Sequence, residues 1–421
     1  MRHVALCVSA VAAIAALVLT AAPKRAEACG GCLSPTEAVT TVDSHRMVIA
    51  LGVEETVLWD QILYSGDPED FVWVLPVTGP EVEVELADPA FFDWIDAASS
   101  PSVQPANPVQ TFCGGSGGDG FGCASQTAAD GGGDGTPSDT VEVTNRETVG
   151  PYETVTVTSE DPMALYTWLQ ENGYQVTEEA RPTIDFYVNA GFSFVALRLA
   201  PGQGVGAMRP IRIRYPSFMG TFPLKMVVVG ARGVLDLSLW IIAEQRYEAF
   251  NYGTVEIDES RLSWDWNTNT SNYNAVFEQT AEESGNRAWI AEYAGSLNNL
   301  GFGVNFVPPP FEATEDLNIA NSLLGNPFIT RLRTKVLVEH VDEDMILAPS
   351  ADSSVIDSPL RAELETNRPA DVNCNNGGSS DDSGVACRSG NTHRAGGSML
   401  LLICAIAFGY RRRRRPSQLR R

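Results

Sequence analysis

The chain has 421 residues, 44% hydrophobic and 19% charged, enough to bury a sizeable core in one large or two ordinary domains. Residues 1–28 hold three basic groups and one acid, and residues 388–421 hold nine arginines and no acid, which leaves residues 29–387 with 17 basic groups against 52 acidic ones, a net charge of −35. A body this acidic repels phosphate backbones and argues against a nucleic-acid partner, and with no run of five acids it reads as a solvated surface rather than an acidic tail.

At the start, Arg2 precedes an uncharged, Ala/Val/Leu-rich stretch over residues 4–22. Ala26-Glu27-Ala28 then places small residues where a signal peptidase reads them, so residues 1–28 are expected to be a signal peptide cut between Ala28 and Cys29. An uncleaved anchor and a lipid on Cys29 are the alternatives at this end.

Residues 45–77 read as strand. Val57, Trp59 and Leu63 favour an extended chain, residues 71–77 are apolar on both faces as in a central strand, and Ser65-Gly66-Asp67-Pro68 between them is a turn. Asp88-Pro89 opens a helix with Asp as N-cap and Pro at the first helical position, and Phe91, Phe92 and Ile95 form its apolar stripe. Residues 99–139, Ser/Pro/Asn-rich and then Gly/Asp-rich, break the pattern and are expected to be a long surface loop. Residues 141–144 and 155–158 alternate at period two. Asp161-Pro162 opens a second helix with Leu165, Tyr166 and Leu169 on one face and Gly173 ending it.

Further on, residues 182–191 suggest a third short helix, and residues 192–199, 211–215, 224–229 and 235–243 read as strands. Residues 273–283 and 315–324 are helical by pattern, while residues 327–347 are apolar with a mixed period that suits helix and strand equally. The expected fold class is α+β, strand-dominated, with mostly antiparallel sheets and several short helices. The exported region spans residues 29–350, as one unit or as two, 29–98 and 140–350, on either side of the loop 99–139. A polar linker over 351–395 leads to residues 396–421, a short apolar segment with an Arg-rich tail.

That last segment is apolar and uncharged over residues 396–410, and Arg411, Arg412, Arg413, Arg414 and Arg415 follow directly. Fifteen helical residues reach only about 22 Å against a hydrocarbon core of ~30 Å. The span suits a sorting signal or a short membrane anchor whose arginines stay cytoplasmic, with everything before them outside.

Cys7 and Cys404 lie in the two apolar segments, and the other six cysteines form three local pairs, Cys29/Cys32, Cys113/Cys123 and Cys374/Cys387. In an oxidising compartment this pattern reads as disulfides, with 15 connectivities open to six cysteines. Cys29-Gly30-Gly31-Cys32 opens the mature chain instead of a helix after a strand, which favours a structural over a redox role, and the nine residues between Cys113 and Cys123 do not fit a zinc ribbon.

Motifs of chemistry are sparse. Within the exported region 29–350 the only histidines are His45 and His340, so a His-based triad or metal site would have to use one of them. Gly114-Gly115-Ser116-Gly117-Gly118 and the Gly115, Gly117, Gly120 spacing copy a nucleophile elbow and a dinucleotide fingerprint, but inside a Gly-rich loop with no strand before or helix after. Gly202-Gln203-Gly204 with Ala207 follows a strand, yet Pro210 and a further strand come next. Asp371, Asn373, Asn375 and Asp382 match four positions of a calcium loop, with Asn376 where glycine is needed, and polar linker is the plainer reading. Trp264-Asp265-Trp266 suits packing better than a sugar-stacking platform.

Several blocks resemble one exported bacterial family, labelled domain of unknown function 2330: the Cys-Gly-Gly-Cys start; Tyr64-Ser65-Gly66-Asp67-Pro68-Glu69-Asp70-Phe71-Val72-Trp73-Val74-Leu75-Pro76-Val77; Trp168-Leu169 with Asn172-Gly173-Tyr174; and Phe194-Val195-Ala196-Leu197. Thr330-Arg331-Leu332-Arg333-Thr334 is similar to its C-terminal segment. The resemblance covers roughly residues 29–350, implies an exported domain and supplies no catalytic residues. The tail resembles a myxobacterial sorting signal, which implies processing at Cys387 and would leave Cys374 without its neighbour. The functional expectation is a membrane-anchored, extracytoplasmic binding or structural module that works without a cofactor, with an envelope protein or glycan as ligand. A hydrolase using paired carboxylates and a calcium-stabilised adhesion module are the alternatives.

Overall fold

The computed structural model describes residues 32–33, 41–65, 72–106 and 141–369, apart from residues 175, 177, 179, 217–219, 230, 232, 303–305 and 357. All of them belong to one compact unit of the chain.

Two sheets carry the fold. Their strands are β1 (Cys32–Leu33), β2 (Thr41–Leu51), β3 (Glu55–Ser65), β4 (Val72–Val77), β5 (Glu83–Leu86), β6 (Glu142–Val149), β7 (Tyr152–Thr158), β8 (Ser193–Leu199), β9 (Ile211–Pro216), β10 (Val234–Ala243), β11 (Thr254–Glu256), β12 (Trp289–Ser296) and β13 (Phe328–Leu337). Across the eight-stranded sheet the order is β11, β12, β13, β10, β2, β3, β9, β5, and across the five-stranded sheet it is β1, β4, β8, β7, β6. Only β10 with β2 and β11 with β12 run parallel; the other pairs within these two sheets are antiparallel. Stretches 41–98 and 141–350 supply neighbouring strands to both sheets, so they share one core.

Period-two alternation explains why the sheets stack. Met47, Ile49, Leu58, Leu237, Leu239, Ile241 and Leu332 leave the eight-stranded sheet on one face, and Trp73, Leu75, Val195 and Leu197 leave the other sheet toward them. The opposite face of the eight-stranded sheet presents Val48, Ala50, Trp59, Trp240, Ile242 and Ile329 to helices α1 (Pro89–Ser99) and α6 (Thr314–Ser322). The opposite face of the five-stranded sheet presents Val74, Val155, Val157, Phe194 and Ala196 to α2 (Pro162–Glu171) and α3 (Arg181–Asn189). The layers are therefore helix, sheet, sheet, helix. The short α4 (Leu224–Val227) contributes Leu224 to the inter-sheet core and Met226 to the cluster under α2 and α3, and α5 (Tyr273–Glu283) closes a smaller cluster with Leu262 and Ile290.

The local signals act as their chemistry requires. Asp88 and Asp161 accept hydrogen bonds from the backbone N–H of Ala90 and Met163 at 2.9 Å each, with proline in the first turn of both helices. Strand β4 is buried along its whole length, as its doubly apolar sequence predicts. The ambiguous stretch 327–347 contains β13 and the start of a further strand, Met345–Pro349. Two expectations need correction. Residues 224–229 do not form a strand: Pro223 precedes a helical turn, because a short apolar run buries equally well in either form and periodicity cannot separate them. The polar stretch after Ser350 does not leave the body at residue 351. Its strands Leu360–Ala362 and Leu364–Thr366 pair in parallel with Val103–Pro105 and Ser263–Asp265, and Ala362 is fully buried.

Candidate functional site

The edge strands of the two sheets, β5 and β6, come together on one side of the sandwich. Leu86 at the end of β5 packs against the β6–β7 turn, where Gly150 (φ +55°) leaves no room for a side chain: a Cβ there would lie 2.5 Å from the Leu86 side chain. Beside this junction opens a groove of about 700 Å³, within the size range of ligand sites. Glu54 and Glu55 line it from the β2–β3 turn, Glu81 and Glu83 from β5 and its approach, Glu142, Thr144 and Asn145 from β6, and Arg214 and Tyr215 from β9.

Its electrostatics are one-sided. Arg214 is the single basic residue among the described lining, and its guanidinium is already engaged by Glu55 at 3.2 Å and Glu85 at 3.6 Å. Next to the groove, burial pushes the Glu147 carboxyl above the usual carboxylate range; a hydrogen bond from Asn145 opposes the shift, and the charges of Glu85 and Glu83 add to it. β5 and β6 are each the last strand of their sheet, so they turn a row of backbone donors and acceptors outward. The arrangement is suited to an extended, positively charged segment.

A second, smaller cavity of about 130 Å³ is lined by Glu256, Glu259, Tyr273 and Glu292 among others. Its carboxylates are held by partners. Glu292 accepts hydrogen bonds from the Tyr273 hydroxyl and Arg331 Nε, both at 2.7 Å, Glu256 pairs with Arg246 at 2.6 Å, and Glu259 accepts the Arg361 backbone N–H at 2.7 Å. Burial, and then the Glu292 charge, push the Tyr273 hydroxyl well above its ordinary value. Among the described residues no group of three or more His, Cys, Asp or Glu is placed to hold a metal ion.

The structure separates the two histidines named in the sequence. His45 lies in the inter-sheet core, hydrogen-bonded to Asp60 and edge-on to Trp73 at 6.4 Å between ring centroids. His340 is exposed, with Nδ1 3.3 Å from the Gly285 carbonyl. Trp264 and Trp266 meet edge to face at 76° and so form no flat platform; Trp266 Nε1 donates to Glu365 at 3.3 Å. Gly202-Gln203-Gly204 forms a turn into a 3₁₀ segment at Val205–Ala207, without a following α-helix. Cys32 occupies the register position opposite Trp73 in β1–β4. Ala28, Cys29, Cys113, Cys123, Cys374 and Cys387, the Gly-rich motif at 114–120, the calcium candidates Asp371, Asn373, Asn375 and Asp382, and Arg411–Arg415 lie outside the described residues.

The groove acids were not singled out in the sequence, although one signal was there. Glu81-Val82-Glu83-Val84-Glu85 alternates strictly, which puts three carboxylates on one face of an extended chain. The family model described as an uncharacterized protein conserved in bacteria, domain of unknown function 2330, matches residues 23–347. The chain belongs to this family. Every groove residue, from Glu54 to Pro216, falls inside the span matched by domain of unknown function 2330, as do all thirteen strands of the two main sheets. No curated protein and no solved structure matches the chain. Among the described residues of this family member, no helix is long and apolar enough to cross a membrane.

Proposed function

We propose that this chain is an exported, envelope-tethered binding module whose acidic groove takes an extended cationic segment of an envelope protein. The observation that carries the reading is the groove itself: five glutamates between two edge strands, with one arginine whose charge is already taken up. An added strand would meet the outward backbone groups of β5 or β6, and basic side chains at every second position would meet the glutamates. The leader-like residues 1–28 and the apolar, Arg-flanked residues 396–415 support an address outside the cytoplasm. Binding is favoured over hydrolysis by paired carboxylates because the acids of the smaller cavity, buried Glu292 and exposed Glu256, are each held by an arginine.

The test uses the full chain and a nine-residue peptide alternating Lys and Thr, titrated by calorimetry. Binding is expected to weaken by about tenfold or more between low and high salt. The triple variant Glu81→Gln, Glu83→Gln, Glu142→Gln is expected to weaken it by a similar factor. No binding, or binding indifferent to both changes, contradicts the groove reading. Protease protection of the body in intact cells, with loss of protection once the envelope is opened, separately checks the address.

A further inference from the structure

Residues 297–311 contain no charged side chain, in a chain that is 19% charged overall. Three phenylalanines of this stretch, Phe302, Phe306 and Phe311, stand 67%, 61% and 74% exposed. The Phe302 and Phe306 rings lean on each other, with centroids 5.5 Å apart. The backbone at Gly301, Phe302 and Val307 is pinned. The Val307 N–H donates to the Gly301 carbonyl at 2.9 Å, the Phe302 N–H to the Asn299 carbonyl at 3.1 Å, and Trp94 Nε1 on α1 to the Val307 carbonyl at 3.0 Å. Gly301 has φ +81°, and a Cβ there would lie 2.4 Å from the Val307 carbonyl oxygen, so the turn requires glycine. Leu300 and Val307 point inward, into the cluster under α1. Leu300 and Val307 anchor to the body while the rings of Phe302, Phe306 and Phe311 project.

We infer that Phe302, Phe306 and Phe311 form a wedge that enters the interface of a bilayer with uncharged headgroups. Projecting rings on a charge-free stretch match the depth at which aromatic side chains settle between headgroups and acyl chains. The surrounding body carries a large negative charge and repels anionic lipid, so zwitterionic headgroups are the complementary surface. Three rings by themselves give a weak, reversible attachment. A tether raises the effective concentration of bilayer at the body, and in that respect the wedge rests on the tethered reading above.

The test places a photoactivatable benzophenone analogue of phenylalanine at Phe306 in the full chain, mixed with phosphatidylcholine vesicles, and repeats it at Phe250, a ring that is 66% exposed outside this stretch. Lipid adducts at position 306 are expected at least about fivefold above those at position 250, and to fall as phosphatidylglycerol replaces phosphatidylcholine. The pair Phe302→Ser and Phe311→Ser should lower the yield at 306. Adducts to a second copy or another protein, or equal yields at 306 and 250, overturn the wedge. Flotation of the same samples reports the tether separately: vesicle-bound protein without lipid adducts defeats the wedge alone, and adducts without stable flotation defeat the tether alone.

Discussion

His45 Nε2 and Asp60 Oδ1 share a hydrogen bond in the middle of the sandwich, and neither residue has any exposed surface. His45 comes from β2 and Asp60 from β3, on the face that looks toward the five-stranded sheet, among Met47, Leu58 and Ile62. The second atom of each group, His45 Nδ1 and Asp60 Oδ2, has no hydrogen-bond partner. A polar pair enclosed this way holds together by its mutual bond and is costly to separate.

Burial pushes the Asp60 carboxyl above its ordinary value of 3.8, and the charge and hydrogen bond of His45 only partly oppose this. A carboxyl raised in the folded state binds its proton more tightly there than in the unfolded chain. Its contribution to stability is full below the ordinary carboxylate value and is lost as pH rises through the raised one. Relative to Asp60→Asn, the wild-type chain should therefore lose stability as pH rises above the ordinary carboxylate range towards neutrality. Urea unfolding of both proteins across that range checks the sign; a wild-type advantage that grows with pH would show that the pair behaves as a stabilising ion pair.

Arg331 reaches from β13 to Glu292 on β12 at 2.7 Å and to the Asp96 carboxylate of α1 at 2.7 Å, with its guanidinium over Trp240. Glu292 is fully buried, so Arg331→Met leaves its carboxylate with the Tyr273 hydroxyl and a more distant Arg333 at 4.0 Å, and is expected to cost about 3–5 kcal/mol. Combining it with Glu292→Gln should cost less than the two single changes together, by about 1–3 kcal/mol. Chemical denaturation of the four proteins measures this, and simple additivity would mean that the two residues do not act as a pair.

Arg214 offers a change of opposite sign in the groove. Arg214→Gln removes the one cation of the described groove lining and frees Glu55, while Glu85 stays paired with Arg212 at 3.0 Å. Affinity for the Lys/Thr peptide should then rise by about 1 kcal/mol, roughly fivefold in Kd. Calorimetry at low salt reads this directly; weaker binding would place Arg214 on the ligand side of the interaction.

Where local chemistry decides structure, the sequence was readable. Asp-Pro pairs at 88–89 and 161–162 start helices because the aspartate satisfies an orphan N–H and the proline lacks the donor that would be orphaned. Residues 273–283 keep helical spacing and form α5 with the expected ends. Residues 224–229 were not readable, because four to six apolar residues carry no period long enough to decide between turn and strand. Nor was the stretch after Ser350, because its pairing partners at Val103–Pro105 and Ser263–Asp265 lie far away in the chain.

By itself, the sequence determined the family, the strand-dominated class, the capped helices and the acidity of the body. These follow from residue type and short spacing. Only the tertiary structure decided which acids face a common space and which are spent on arginines. Glu54, Glu83 and Glu142 meet at a groove because the edges of two sheets converge there, whereas Glu292, no different in sequence, is enclosed beside Arg331. Charge is a property of a residue, but potential is set by neighbours that the chain brings together across its fold.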